Sequence, residues 1–130
     1  ITCVRSSNIL FGDRVGCVCV NYQSRFRLTD GVVGNRILIL SDSHNSRLAI
    51  ENILAAEADS IDALIFLGDG LRDLEQALTF YPSLRAYAVA GNCDFGALEP
   101  LDGLAAFDGV VVFYTHGHMY GVKYDLDTLA

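Results

Sequence analysis

The sequence of 130 residues has few cationic side chains and no long apolar run. Nine basic residues stand against 16 acidic ones, which gives a formal net charge of −7. Nucleic acids and anionic membranes attract lysine and arginine, so this balance argues against a protein that binds either of them non-specifically. The apolar runs are far shorter than the roughly 18 residues that a membrane-spanning helix needs. We therefore expect neither nucleic acid nor a membrane as a partner.

Cysteine is also scarce. The four cysteines are irregularly spaced, which is not the pattern of a small domain held together by disulfides. The first residues lack the charged, then apolar, then small order of a secretory signal peptide. We therefore predict reduced thiols and a cytoplasmic protein.

Apolar residues, in contrast, are abundant and make up 52% of the chain. Charged residues make up only 19%, so enough apolar surface is present to offset the entropy that the chain loses on folding. About 150 residues per domain is usual, so the length corresponds to one domain or to part of one. A packed core is expected.

Charge divides the chain into two parts. Residues 1–34 carry four arginines and two aspartates, a formal charge of +2, whereas residues 35–130 carry five basic and 14 acidic residues, a formal charge of −9. The first part has no sustained periodicity apart from a short candidate strand at 15–20. We predict an N-terminal extension of unknown role over 1–34 and a folded domain over 35–130.

In the second part, apolar runs alternate with segments of helical spacing. The candidate strands lie at 36–41, 61–67 and 84–90. Alternation of strands and helices at these lengths is typical of a parallel α/β sheet. Two further apolar runs, 104–107 and 110–114, flank Asp108-Gly109. Asp-Gly supplies the backbone angles of a tight turn, so these runs predict a β-hairpin.

Polar side chains follow four of these apolar runs. They occur in the segments Ser41-Asp42-Ser43-His44, Gly68-Asp69, Gly91-Asn92-Cys93-Asp94 and Thr115-His116-Gly117-His118. Parallel strands end at one edge of their sheet, which is where ligands bind in such folds. Carboxylate, imidazole and amide groups together suit hard or borderline divalent metal ions. Without a cation the aspartates at this edge would repel one another, so the sequence predicts a metal site there.

In their order and spacing, the four segments resemble the motifs of the calcineurin-like metallophosphoesterase family over about residues 35–130. The strings around Asp42 and His116 resemble its small prokaryotic phosphodiesterase branch in particular. The resemblance implies an α/β fold, a partial metallo-dependent phosphatase-like αββα sandwich in which parallel βαβ units precede the hairpin. It also implies a dinuclear centre with two divalent ions, manganese first and zinc, iron, nickel or magnesium as alternatives.

The resemblance also assigns the metal ligands. It implies that Asp42 and His44 bind one ion and that Asn92 and His116 bind the other. Asp69 would bridge both ions, and a hydroxide between them would attack the phosphate ester. The substrate would be a small phosphodiester.

The catalytic segment departs from the pattern of many members, which have a histidine after the asparagine. That histidine is thought to protonate the leaving group, and Cys93 in its place donates a proton poorly near neutral pH. Asn92, Cys93 and Asp94 are the catalytic candidates, and we expect a preference for good leaving groups such as aryl phosphodiesters. A space-filling role for Cys93 and an orienting or capping role for Asp94 are the alternatives. His118 would orient His116 or contact the substrate, with an ordinary surface histidine as the alternative.

A second departure concerns the C-terminal end. The family has a Gly-His-x-His motif beyond the position of His116, and residues 117–130 do not contain it. The resemblance therefore implies a C-terminally truncated domain in which each ion lacks one histidine. The leading hypothesis is a metal-dependent phosphodiesterase, and a homo-oligomer is compatible with the sequence. The alternatives are a non-catalytic metal- or protein-binding scaffold on the same fold and an inactive fragment.

Overall fold

The computed structural model describes residues 10–12, 15–22, 35–107 and 110–120, which form a five-stranded sheet, a β-hairpin and two α-helices. The sheet contains, in spatial order, β1 (Leu10–Gly12), β2 (Val15–Tyr22), β3 (Asn35–Ser41), β4 (Ala63–Phe66) and β5 (Ala86–Ala88). The hairpin consists of β6 (Asp102–Phe107) and β7 (Val110–Thr115). The helices are α1 (Arg47–Glu57) and α2 (Leu71–Leu78), and short 3₁₀ turns occur at Ala58–Ser60 and His118–Tyr120.

Strands β3, β4 and β5 run parallel to one another, and α1 and α2 connect them in sequence. All four residues of β4 are buried, because a strand covered on both faces by other elements must be apolar on both. The predicted parallel α/β architecture is confirmed.

Two apolar clusters cover the two faces of this sheet. The helical face buries Leu38, Leu40, Leu64 and Phe66 against residues of α1 and α2. The opposite face buries Ile37, Ala63 and Ile65 against Ala105 and Phe107 of the hairpin. Neighbouring residues of one strand point to opposite faces, so even-numbered and odd-numbered positions of β3 belong to different clusters. Helices, sheet and hairpin form three successive layers of an αββα sandwich.

The hairpin lies where the sequence predicts it, although its strands are longer. Pairing extends from Asp102 with Thr115 to Phe107 with Val110. The predicted turn at Asp108-Gly109 lies outside the described residues.

The third parallel strand is shorter than predicted. Only Ala86–Ala88 pair with β4, although the apolar run extends from 84 to 90. The amide of Val89 still donates to Phe66, but the amide of Ala90 donates to the carbonyl of Pro100. The chain therefore leaves the sheet at this point and turns toward the polar edge.

The described part of the N-terminal segment pairs with the central sheet. Strand β2 runs antiparallel to β3 from Gly16 with Ser41 to Tyr22 with Asn35, and β1 pairs with β2. The candidate strand at 15–20 is therefore present, but the role of residues 1–34 stays a prediction. No helix within the described ranges is long and apolar enough to cross a membrane.

Candidate metal centre

Each predicted ligand follows a strand, and the fold brings these strand ends together. Asp42 and His44 follow β3, Asp69 follows β4, and Asn92 lies a few residues beyond β5. His116 directly follows β7 of the hairpin. All five side chains meet at one end of the sandwich.

The carboxylate of Asp69 lies at the centre of this group. Its Oδ2 atom is 3.5 Å from Nε2 of His116 and 3.9 Å from Nε2 of His44. Nε2 of His44 is also 3.4 Å from Oδ1 of Asp42, and Nε2 of His116 is 3.0 Å from Oδ1 of Asn92. Four potential ligands therefore surround one carboxylate.

Two sets of three side chains have ligand atoms within 4.8 Å of one another. One set contains Asp42, Asp69 and His116, and the other contains His44, Asp69 and Cys93. Asp69 belongs to both sets, and its role as a ligand that bridges two ions stays a prediction. The sequence did not predict Cys93 among the ligands, and the division of the ligands between two ions stays a prediction.

The backbone at the ligands adopts conformations that are uncommon outside glycine. The φ angles of Asp42, His44 and Asp69 are 59°, 43° and 60°. The left-handed region costs such residues about 1 kcal/mol or more each, and strain of this kind is concentrated at functional sites. Two hydrogen bonds hold the loops in place, from the Asp42 amide to the Gly68 carbonyl and from the His44 amide to the Asp69 carbonyl.

Glycine at position 91 allows the loops after β4 and β5 to touch. A Cβ atom on Gly91 would overlap the carboxylate and the amide of Asp69. Any larger residue at this position would therefore displace the central ligand of the site.

The environment of Asp69 favours a cation. The residue is only 4% exposed, and its Oδ1 atom accepts a hydrogen bond from the amide of Cys93 at 2.8 Å. Its Oδ2 atom faces the two imidazoles of His44 and His116. A buried carboxylate is costly unless positive charge compensates it, and a divalent ion supplies that charge.

The orientation of His116 also favours a cation. Its Nδ1 atom lies 2.7 Å from the carbonyl oxygen of Leu67, which only accepts, so Nδ1 carries the hydrogen. In the tautomer whose only ring hydrogen is on Nδ1, Nε2 presents its lone pair to Oδ1 of Asn92, which is also an acceptor. The amide nitrogen of Asn92 donates to the sulfur of Cys93, which keeps its oxygen toward His116. Nε2 of His116 and Oδ1 of Asn92 would both be acceptors beside the carboxylate of Asp69, and such a group fits a metal ion. The carbonyl of Leu67 orients the His116 ring.

Asp94 connects the loops of the site through its carboxylate. Its two oxygens accept hydrogen bonds from the amides of Asp69, Gly70, Leu71 and Gly91, at 2.7 to 3.0 Å. Burial alone would raise the pKa of this carboxyl, but the four hydrogen bonds outweigh it and lower the pKa. The carboxylate fixes the start of α2 and the loop after β5, and a catalytic role for Asp94 stays a prediction.

Cys93 presents an exposed, free thiol to the same centre. Local desolvation, a hydrogen bond with Asp69 and the negative charges of Asp69, Asp94 and Asp42 raise the pKa of this thiol. At neutral pH the side chain is therefore protonated.

His118 lies against His116, with ring centroids 5.3 Å apart in an edge-on arrangement. Its Nδ1 atom is buried and has no hydrogen-bond partner among the described residues. His116 donates its hydrogen bond to the carbonyl of Leu67, and the predicted role of His118, to orient His116 or to contact the substrate, stays a prediction.

Two supporting features were not predicted from the sequence. Ser43 is 1% exposed, and its hydroxyl donates to the carboxylate of Asp73 in the first turn of α2 at 2.9 Å. The position of Ser43 between two ligands was the available signal. No sequence signal indicated the carbonyl of Leu67, because every residue type has a backbone carbonyl.

Residues 36–130 match the calcineurin-like phosphoesterase superfamily domain, and this range contains every site residue described above. The chain belongs to the calcineurin-like phosphoesterase superfamily. It is 35% identical to the probable metallophosphoesterase YsnB of Bacillus subtilis (strain 168) over 91 residues. The aligned region covers 69% of this chain and 51% of that protein.

A solved structure shows the same fold. The chain is similar to a conserved uncharacterized protein of Streptococcus pneumoniae TIGR4, described as a predicted phosphoesterase, with a TM-score of 0.60 and 26% sequence identity. The similarity covers 72% of this chain and 51% of that one, so the chain spans about half the length of both relatives. The predicted family and the partial sandwich fold are confirmed, and the family implies divalent metal ions.

Proposed function

We propose that the protein hydrolyses a small phosphodiester in the cytoplasm with the help of two divalent metal ions. The buried carboxylate of Asp69, shared by two sets of potential ligands, is the observation that carries this proposal. When bound, the ions supply positive charge to the phosphate oxygens and activate a water as the nucleophile. Manganese is the first metal to test.

The residues of the chain have separate tasks in this proposal. Asp69 would hold both ions, and Asp42 and His44 approach it from the loop after β3. His116 is held by Leu67 so that Nε2 points into the site.

The thiol of Cys93 supports a preference for good leaving groups. It lies beside Asp69, whose Oδ1 atom accepts a hydrogen bond from the Cys93 amide, and the ordinary pKa of a thiol is about 8.5. A general acid of high pKa transfers its proton poorly near neutral pH, so the leaving oxygen gains little help. Esters whose leaving group departs without protonation, such as aryl phosphodiesters, are therefore the expected substrates.

The scaffold hypothesis receives less support. A protein that uses this fold only for docking has no need for four potential ligands around one buried carboxylate. Strained backbone at Asp42, His44 and Asp69 also costs stability, which favours a function for these positions.

Hydrolysis of bis(p-nitrophenyl) phosphate tests the proposal. The assay compares the 130-residue chain and the complete product of its gene, each with and without Mn²⁺. We expect Mn²⁺ to stimulate hydrolysis and Asp69→Asn to lower the rate by about 100-fold or more, because both ions lose a ligand.

Asp59→Asn is the matched control. It removes the same charge from an exposed position in the 3₁₀ turn after α1, and the rate should not change. If Mn²⁺ stimulates neither protein, or Asp69→Asn hydrolyses the ester as fast as the unmodified chain, the proposal is wrong. Activity confined to the complete gene product would identify the 130 residues as an inactive fragment of a phosphodiesterase.

A further inference from the structure

A cleft of about 370 Å³ opens beside the metal ligands. Its lining includes His44, Asp69 and Cys93 together with the segment 94–97 and the first turns of α2. A phosphate held by the ligands therefore has space on this side for the organic group of an ester. The cleft is continuous with the site, so the residues that line it can contact the organic group of the ester.

Phe95 is a large apolar side chain in the lining of this cleft, and it is 92% exposed. A single exposed apolar side chain is common and shows little by itself. The position of Phe95 is more informative, because it follows Asp94, whose carboxylate is held by four backbone amides. The amide of Ala97 also donates to the carbonyl of Asp94 and closes a turn around Phe95. The ring is thus carried on a fixed backbone beside the ligands.

Charge around the cleft disfavours a second anionic group. Beyond the metal ligands, its lining includes the carboxylates of Asp73, Glu75, Asp94 and Glu99 and the single cation of Arg72. Four negative charges against one positive charge repel an anionic substituent and tolerate a neutral one. An apolar ring on a fixed loop adds a favourable contact for a flat, uncharged group.

We propose that this cleft binds the organic group of the phosphate ester and that Phe95 selects an uncharged aromatic group by ring contact. The inference rests on the proposed function, since it takes the metal ligands as the place where the phosphate binds. Phe95 is then a specificity-determining residue that leaves the chemistry at the ligands unaffected.

Fluorescence offers a direct test, because the chain contains no tryptophan. Phe95→Trp places the only indole of the protein at the cleft, and an exposed position tolerates this change. With Mn²⁺ held constant, phenylphosphonate should shift the emission saturably to shorter wavelength as its ring covers the indole. Methylphosphonate, which lacks the ring, should leave the emission wavelength unchanged.

Phe80→Trp is the matched control. Phe80 is 72% exposed and lines a separate cleft that shares no residue with the first. Neither phosphonate should shift its emission. Equal shifts at positions 80 and 95 would show that aromatic ligands adsorb to any exposed ring, and the inference would be overturned.

Calorimetric titration separates this inference from the proposed function. Phe95→Ala should weaken phenylphosphonate binding by about tenfold and leave methylphosphonate binding unchanged. A carboxyl group on the phenyl ring should also weaken binding. If both phosphonates bind in the presence of Mn²⁺ and Phe95→Ala affects neither, the proposed function stands and the role of Phe95 is refuted. If neither phosphonate binds, the proposed function and the cleft inference both fail.

Discussion

Among single residues, Asp94 has the largest part in holding the loops of the site together. One side chain accepts hydrogen bonds from the loop after β4, the first residue of α2 and the loop after β5. Hydrogen bonds to a charged acceptor are stronger than those between neutral groups. Asp94 therefore connects Asp69 to the segment that carries Asn92 and Cys93.

The first prediction is that Asp94→Asn destabilises the protein almost as much as Asp94→Ala. Each carboxylate oxygen accepts hydrogen bonds from two backbone amides. An asparagine would place its own NH₂ donor against one pair of these amides. We expect a loss of about 2 to 4 kcal/mol in the free energy of unfolding, measured by urea denaturation.

Glu75→Gln is the control for this substitution. It removes a charge from an exposed position on α2 and should change the free energy of unfolding by less than about 0.5 kcal/mol. A variant Asp94→Asn that unfolds at the same urea concentration as the unmodified protein would show that the four hydrogen bonds do not hold the loops.

Residue types indicated the candidate ligands because their chemistry is visible in the sequence. Asp42, His44, Asp69, Asn92 and His116 all follow apolar runs, and strand ends of a parallel sheet converge. The partners of these ligands were not visible. The carbonyl that orients His116 and the pairing of Ser43 with Asp73 depend on three-dimensional contacts between distant segments.

At the scale of elements, the turn that carries His118 is attached to the hairpin by a side-chain contact. The hydroxyl of Tyr120 donates to Oδ2 of Asp102, at the start of β6, over 2.8 Å. This hydrogen bond, with partial desolvation and the charge of Asp102, raises the pKa of the Tyr120 phenol. The 3₁₀ turn at His118–Tyr120 is thereby held beside the strand that pairs with β7.

The second prediction concerns the titration of this phenol. A raised pKa in the folded state means that the contact stabilises the protein below the pKa of an unfolded tyrosine, about 10, and that this stabilisation is lost as pH rises through the folded value. Burial also raises the pKa of Tyr114, so absorbance at 295 nm should show more than one phenol that titrates above a pH of about 10, and one of them should be absent in Tyr120→Phe.

Tyr81→Phe is the reference for removing a phenol, since Tyr81 makes no side-chain hydrogen bond among the described residues. The thermal midpoint of Tyr120→Phe should lie below that of the unmodified protein at neutral pH. The difference between the two midpoints should disappear at pH values above the folded pKa. A Tyr120 phenol that titrates at or below the ordinary value would contradict the contact.

The elements themselves could be predicted to different extents. Apolar runs of strand length identified β3 and β4, because buried parallel strands need apolar residues on both faces. The end of β5 could not be predicted, because its apolar run continues while its hydrogen bonds turn to Pro100. The pairing of β2 with β3 was also invisible, since pattern alone does not indicate a strand's neighbour.

At the scale of the whole molecule, the excess of acidic residues has a local meaning. Residues 35–130 carry a formal charge of −9, and Asp42 and Asp69 contribute to it from one small region. Bound divalent cations would offset this charge, and binding to the folded state alone would stabilise the fold. The chain spans about half the length of its relatives, so the activity of the whole protein stays a proposal.

Metal binding measured by calorimetric titration and by metal analysis of the dialysed protein tests the central claim most directly. The claim is that one buried carboxylate serves two ions. We predict two Mn²⁺ ions per chain for the unmodified protein and for Asp59→Asn, and fewer than one for Asp69→Asn, because both ions share the lost ligand. If Asp69→Asn binds as much Mn²⁺ as the unmodified protein with the same affinity, the shared site does not exist and the account is wrong.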